Sequence, residues 1–481
     1  MNLGTLPATH GRFRAAHPAL VCGGTRLTFR ELDRRTARLA AAFQQAGVPR
    51  GGAIATAMPN SAALYETYWA AARMGAATVP LSPLLRAEAV QALASDADAT
   101  LVLTGDDQVE ALIAGVRPDA VPSVPAIDAG DVFNIMYSSG TTGTPKGIVL
   151  SYAVRAAYAT LFASQWRMTP ESVVLHAGSL VFNGAFVTMM PAMFLGATFV
   201  LLPQFEPDAV IAAIERERVT HVMMVPSQII ALLNAPGFDA RRLASLQMLG
   251  SVGAPLHREH RDRLIEHLPG RSYELYGLTE GFVTVLDRGE FAARRDSVGV
   301  PAAFSELRIV DGDGADLAPG TIGEIVGRGP LLMSGYHKRP DLTAEAIVGG
   351  WLHSGDLGFV DTDGFLHLVD RQKDLIVSGG VNVFPRDIED VIVAHPDVVE
   401  AAVFGIPHDK WGEAPLAAVV LRAGAAVSEA ELTNWINDRV TARYQRVAAV
   451  VLLTEFPRNA AGKTLKRVLR APYWAERSVR I

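Results

Sequence analysis

Residues 137–147 read Tyr137-Ser-Ser-Gly-Thr-Thr-Gly-Thr-Pro-Lys-Gly147. Five hydroxyls crowd together at Ser138, Ser139, Thr141, Thr142 and Thr144. Gly140, Gly143 and Gly147 free the backbone to turn, so that amide N–H groups can converge on anionic oxygens, and Lys146 adds a fixed positive charge. A loop of this make-up suits a polyphosphate. It is not a Walker A loop, because Lys146 precedes the last glycine and no Ser or Thr follows it in the required place. The later Gly462-Lys463-Thr464 fails too, with Pro457 standing where a glycine is needed.

Working outward, a β-rich run at 134–138 enters the loop and a helix-length amphipathic segment at 152–164 follows it. The alternation continues on both sides. Upstream, strands at 53–58, 77–80 and 100–104 alternate with helices at 62–73 and 86–95. Downstream, strands at 172–176, 199–202, 221–225, 246–249 and 273–276 are interleaved with helices at 207–217, 227–233 and 258–268. Such repetition implies crossover connections and mostly parallel sheets covered on both faces. Thr28 with Glu31 three residues on predicts a capping box at a helix start.

After Gly289 the turn dipeptides Asp311-Gly312, Asp313-Gly314, Pro319-Gly320 and Asp363-Gly364 predict hairpins in antiparallel or barrel-like sheet. The two aspartate-rich stretches lack the ligand positions of a calcium loop and read as turns. The end of the chain reads as a small α+β unit, with strands near 375–377, 398–404 and 416–421 and helices near 386–394 and 429–439. The expected fold class is therefore α/β. A large N-terminal domain of parallel-rich βα sheets, residues 1–371, includes a small β-barrel-like subdomain. A small mobile α+β C-terminal domain, residues 372–481, follows it.

Composition narrows the function. The 481 residues carry a net charge of −6, so no basic excess exists to neutralise nucleic-acid phosphates. The single cysteine, Cys22, cannot form an internal disulfide, a four-cysteine zinc site or a CxxC pair, which predicts a reducing cytoplasm. Residues 173–205 contain no Asp, Glu, Lys or Arg, but His176, Asn183, Gly184, Pro191 and Gly196 interrupt them. A buried helix at 185–194 and a strand at 197–202 fit better than stable membrane insertion. His257, His260 and His267 share one predicted helix without a zinc-like spacing, so a solvated helix face is expected. No GxSxG elbow is present for serine-hydrolase chemistry.

The loop at 137–147 resembles the signature loop of the adenylate-forming superfamily of acyl-CoA synthetases, adenylation domains and luciferases. Further segments match in the family's order across nearly the whole chain. Gly253-Ala254-Pro255-Leu256 resembles the adenine-side turn, and Tyr276-Gly277-Leu278-Thr279-Glu280 the YGxTE motif. The resemblance implies that Tyr276 stacks on adenine, Thr279 touches the α-phosphate and the substrate carboxylate, and Glu280 holds Mg²⁺. An aromatic face suits a purine and a carboxylate suits a hard cation. His353-Ser-Gly-Asp356 is similar to the motif whose aspartate accepts bonds from the ribose hydroxyls.

Asp370-Arg371-Gln372-Lys373-Asp374 and Ser378-Gly379-Gly380-Val381-Asn382 resemble the domain junction. By resemblance Arg371 meets ribose and phosphate, Lys373 is the hinge, Asn382 approaches AMP, and Gly379 and Gly380 let a narrow pantetheine pass. Pro457 to Lys463 is similar to the C-terminal lysine motif, which makes Lys463 catalytic together with Thr279 and Glu280. Trp411, Tyr444 and Arg446 are the implied contacts for the nucleotide end of CoA; Gln445 and Val447 depart from the family's common pattern there. Lysine usage supports these matches independently. Only six lysines stand against thirty-eight arginines, yet Lys146, Lys373 and Lys463 fall on motif positions. An ammonium point charge and a planar guanidinium are not interchangeable.

The resemblance implies an AMP-forming acid–thiol ligase, with ATP, Mg²⁺ and coenzyme A as cofactors. A carboxylate is a poor electrophile, and transfer of AMP onto it creates a good leaving group for a thiol to displace. The alternatives are an adenylation enzyme that loads a carrier protein, a luciferase, and a catalytically silent nucleotide-binding homologue. The junction's wording favours a CoA ligase. The partners expected are a small carboxylic acid and CoA, with a homodimer as one assembly this allows. The acyl pocket is expected from Phe182, Asn183, Phe186, Gly277 and Phe282. With no arginine evident beside these residues, an uncharged aryl, arylpropenoic or medium-chain tail is expected. Many relatives carry Phe-His where Phe182-Asn183 stands, and Asn cannot ionise.

Overall fold

The computed structural model describes residues 2–138, 145–254, 256–458 and 464–475. Within these residues the strands assemble into four sheets. The largest has at its centre Ser272–Gly277, Met248–Val252, His221–Met224, Val173–His176, Thr198–Leu201 and Pro18–Cys22, all parallel to their neighbours. Antiparallel strands flank both edges, Val283–Leu286 and Val300–Pro301 on one side and Thr25–Thr28 on the other. His221–Met224 and Thr198–Leu201 are buried at every residue, as strands covered on both faces are. Register places Met224 opposite Ser251 and Val252 opposite Leu275, so the chain leaves these strands along one shared edge. Ligands of open parallel sheets bind beyond that carboxyl edge.

The second sheet runs Gly335–Tyr336, Lys146–Ser151, Val132–Ser138, Ala77–Pro80, Ala53–Thr56, Ala99–Leu103. Val132–Ser138 and Lys146–Ser151 form a hairpin with Ser138 opposite Lys146, and Ile148 faces both Met136 and Tyr336. Helix Tyr152–Gln165 starts at once, with Ser151 Oγ accepting from the Val154 N–H. It packs on helix Asn183–Leu195, which ends at Gly196 with φ +73°, a left-handed cap that suits glycine. The apolar segment read as helix and strand is therefore this helix followed by Thr198–Leu201. No helix among the described residues is long and apolar enough to cross a membrane. The capping box forms too, Thr28 Oγ1 accepting from Glu31 N–H while Glu31 Oε2 accepts from Thr28 N–H.

An antiparallel sheet of Glu306–Val310, Gly323–Arg328, Trp351–Val360, Ile347–Val348 and Leu366–Arg371 follows. Asp311 and Asp361 each accept two backbone N–H bonds and tie off turns, so their carboxylates serve the hairpins. The helical turn Gln372–Asp374 then leads into the last sheet, Val381–Val383, Ile376–Ser378, Gly412–Leu421 and Val398–His408, with Val450–Leu453 parallel to Gly412–Leu421. Helices Pro385–Val393 and Glu429–Asn437 cover it. Its core of Ile388, Ile392, Val403, Val419, Leu432 and Ile436 shares no residue with the cores formed before Arg371.

Two sequence readings are corrected. The helix Arg258–His267 is not a wholly solvated face. His260 is 1% exposed and burial pushes its imidazole down to about 4. His257 Nδ1 lies 2.8 Å from an Asp390 carboxylate oxygen, and Arg422 donates to Glu259 at 2.9 Å. The helix face was solvated in expectation because its partners lie more than a hundred residues downstream. The N-terminal strands Pro18–Cys22 and Thr25–Thr28 were not anticipated at all; they exist through pairing with each other and with Thr198–Leu201.

Candidate active site

The carboxyl edge of the large sheet gathers the motif residues. Gly253 follows Met248–Val252 with φ +92°, a backbone position that favours glycine, and Ala254 lies beside it. One strand over, Tyr276 and Gly277 end Ser272–Gly277 and lead into Thr279 and Glu280. A side chain at Gly277 would strike Val283 Cγ1 at 2.6 Å, so the turn there needs its glycine. The third sheet brings in Asp356, which pairs across strands with Arg371.

Tyr276 Oη donates to Asp356 Oδ2 at 2.9 Å, and Arg371 Nε lies 3.1 Å from Asp356 Oδ1. Each carboxylate oxygen keeps acceptor capacity for a further hydroxyl. Burial, reinforced by the Asp356 charge, pushes the Tyr276 phenol well up and keeps it a neutral donor. Sequence separations of 80 and 15 residues thus close into one cluster.

Glu280 lies behind it. Burial raises its carboxyl above the ordinary range, while Tyr336, Lys146 and Arg371 pull it back. Tyr336 Oη donates to Glu280 Oε1 at 3.2 Å, and Lys146 Nζ stands 5.0 Å from the centre of the Tyr336 ring. Tyr336 carries no local motif and sequence reading missed it; the hairpin register delivers it. Ser138 lies opposite Lys146 at the hairpin mouth. Ser139, Gly140, Thr141, Thr142, Gly143, Thr144, Pro255 and Lys463 lie outside the described residues.

Lys373 occupies the turn Gln372–Asp374, its ammonium pushed down by burial and by neighbouring Arg371. Gly379 has φ +61°, donates its N–H to Trp411 O at 2.7 Å, and would bring a Cβ within 2.7 Å of the Trp411 ring. Gly380, with φ +81°, faces open space. Gly379, Gly380 and the exposed Trp411 therefore form one surface. Tyr444 is exposed on the helical turn Arg443–Gln445, followed by Arg446, and that turn packs on Val381–Val383. Asn382 is exposed on that same edge strand. The departures at Gln445 and Val447 are structural: Gln445 Oε1 accepts from Thr441 Oγ1 and Ala442 N–H, and Val447 enters the core.

The segment expected to hold the acyl group joins the same edge. A Cβ on Gly184 would stand 3.8 Å from Val252 Cγ1, which sets the start of helix Asn183–Leu195 against the end of Met248–Val252. Phe182 caps this helix. Phe282 instead packs with Val298, Ile309, Ile325, Leu352 and Leu366, at 1% exposure. Phe186 is buried, stacked on Tyr68 with centroids 6.0 Å apart. Its ring also meets a residue that sequence reading missed: Arg155, whose guanidinium carbon lies 4.1 Å from the Phe186 ring centre and 4.7 Å from that of Tyr158.

Arg155 is fully buried. It donates from Nε to Asn134 Oδ1 at 3.0 Å and from Nη1 to Asn183 Oδ1 at 2.9 Å, while Asn183 Nδ2 donates to Tyr158 Oη. Desolvation pushes the guanidinium down to about 10, so it stays charged at neutral pH. The expectation that no arginine stands near the acyl segment is therefore overturned. A signal existed: Arg155 interrupts the buried stripe Tyr152, Tyr158, Ala159 and Phe162 on its helix.

Comparison with known proteins fits this arrangement. A family model described as AMP-binding enzyme matches residues 8–337, and one described as AMP-binding enzyme C-terminal domain matches residues 387–463. A feruloyl-CoA synthase from Amycolatopsis sp is 36% identical over 492 residues, covering 98% of this chain and 98% of that protein. A medium/long-chain-fatty-acid–CoA ligase from Mycobacterium tuberculosis is 33% identical, covering 95% of this chain and 87% of its own. The structure of O-succinylbenzoate coenzyme A synthetase from Bacillus subtilis, in complex with AMP, superposes with a TM-score of 0.87 at 27% identity, covering 97% of this chain and 98% of that one.

Proposed function

The chain belongs to the AMP-binding enzyme family, and from that premise we propose that it is an ATP-dependent acid–CoA ligase working through an acyl-adenylate. The observation that carries this reading is the convergence of Tyr276, Asp356 and Arg371 with Glu280, Tyr336 and Lys146 at one sheet edge. An aromatic ring, a carboxylate with spare acceptor capacity and two cations are what a purine, a ribose and a polyphosphate need. Near-full-length similarity to CoA ligases supports the choice of thiol.

In the first step a carboxylate oxygen attacks the α-phosphorus of ATP and pyrophosphate departs. The loop at 138–144 with Lys146, Gly253, Ala254 and Pro255 holds the nucleotide, Tyr276 takes the adenine, and Asp356 and Arg371 take the ribose. Thr279 orients the carboxylate, and Lys463 meets the charge that develops on phosphate. Stabilising that charge with positioned donors is the larger part of such catalysis. Glu280 offers a hard carboxylate oxygen of the kind magnesium prefers. Magnesium held there would neutralise triphosphate charge.

In the second step the CoA sulfur attacks the acyl carbonyl, and AMP leaves with the former carboxylate oxygen. Gly379, Gly380, Trp411, Tyr444 and Arg446 are the surface we assign to CoA. Residues 1–371 and 372–481 act as separate bodies turning about Lys373, a proposal that their unshared cores support. The single cysteine, Cys22, is buried and cannot pair within the chain, which suits a cytoplasmic protein.

The test is a split of the two half-reactions. Lys463→Ala should abolish pyrophosphate release while still making thioester from synthetic acyl-AMP and CoA; equal loss of both would refute the division of labour. Thioester formed only on a carrier protein, and never on free CoA, would move the acceptor assignment.

A further inference from the structure

A buried guanidinium without a counter-charge is costly, because desolvation of the ion is not recovered by neutral partners. Arg155 is in that position: Asn134, Asn183 and two aromatic faces surround it, and none of its partners among the described residues is a carboxylate. Two further donors nearby have no partner, Arg155 Nη2 and Asn134 Nδ2, both on fully buried side chains. The site is thus rich in donors and positive charge, and poor in acceptors. It is also joined to the acyl segment, through the hydrogen bond to Asn183 and the contact with Phe186.

We propose that Arg155, with Asn134, forms a recognition point beside the acyl-segment residues Asn183 and Phe186 for an oxygen acceptor on the substrate's tail, with a second carboxylate as the fullest match. This deepens the ligase reading and rests on it. A planar fork with a free N–H beside an amide N–H fits two carboxylate oxygens, and charge-assisted bonds of this kind are the strong ones. A phenolic oxygen satisfies part of the same chemistry. An alkyl or unsubstituted aryl end satisfies none of it, and leaves the donors buried and unmet. The residue acts on specificity; the reacting carboxylate remains with Thr279.

The experiment compares acids matched in length that differ only at the far end: hexanoate with hexanedioate, and cinnamate with its 4-hydroxy and 4-carboxy derivatives. Pyrophosphate release gives kcat/KM for each. In the wild type the carboxylate-tipped acid of at least one series should exceed its apolar partner tenfold or more, with the 4-hydroxy acid between the two in the aryl series. Arg155→Met should collapse that ratio to one or below, and Arg155→Lys, which keeps the charge and guards against a folding failure in the first variant, should keep its direction. A wild-type ratio at or below one in both series overturns the proposal. So does an unchanged ratio in Arg155→Met, or an equal loss for every acid. Release of pyrophosphate with none of these acids, nor with any other carboxylic acid, would instead sink the ligase reading itself.

Discussion

Among the described residues two arginines are buried to within 1% exposure, and they are treated oppositely. Arg261 is ion-paired to Glu274, itself 2% exposed, and also donates to the Leu256 and Ser297 carbonyls. Arg155 meets amide oxygens, the Tyr158 hydroxyl and aromatic faces, and no carboxylate among the described residues. The first lies beneath the sheet edge and braces the strand that carries Tyr276. The second touches the residues assigned to the acyl group. A charge whose compensation is built into the chain serves the fold; a charge left with neutral partners is available to a ligand.

The largest effect should come from breaking the built-in pair. Glu274→Gln leaves Arg261 buried without its counter-charge and should cost about 3–5 kcal/mol, read from the urea midpoint. Arg155→Met removes a charge that has no ionic partner to strand but leaves the Asn134 and Asn183 amide oxygens unpaired, and should cost about 2 kcal/mol in the absence of acid, the low end for two such groups. A loss as large as that of Glu274→Gln would erase the contrast. Saturating dicarboxylic acid should raise the melting temperature of the wild type and leave that of Arg155→Met nearly unmoved.

A third, half-buried charge sharpens the comparison through pH. Asp370 accepts from the Arg371 and Arg386 N–H groups. Burial pushes its carboxyl up from 3.8 to about 6, with Lys466 opposing and Glu389 adding to the rise. The folded state then binds the proton more tightly than the unfolded chain, so this group's contribution to stability declines as pH rises from 3.8 to about 6 and is flat above. Asp370→Asn should flatten that window in a series of melting curves. The smallest effect belongs to the half-exposed Arg422–Glu259 pair, where Glu259→Gln should change stability by less than about 1 kcal/mol.

Much of this was legible in the chain. The alternation of strands and helices gave the parallel sheets, and the motif turns at Gly253 and Gly277 sit where strands end. Local signals did this work: glycines needed at Gly253 and Gly277, the Thr28 cap, the aspartate turns. What stayed hidden depends on partners distant in sequence. Arg155 and Asn183 are 28 residues apart, His257 and Asp390 133, and Tyr336 reaches Glu280 across 56. No spacing rule spans such gaps. Phe282 shows the converse: a motif neighbour expected in the pocket is spent on the core.

The central chemistry is tested most directly by following one oxygen atom. An acid that turns over, labelled with ¹⁸O in its carboxylate, is incubated with ATP, magnesium and CoA, and the nucleotide product is weighed by mass spectrometry. The expected product is AMP carrying one ¹⁸O, released alongside unlabelled pyrophosphate and an acyl-CoA thioester. Unlabelled AMP, or ADP with the label in inorganic phosphate, would contradict attack of the acid on the α-phosphorus.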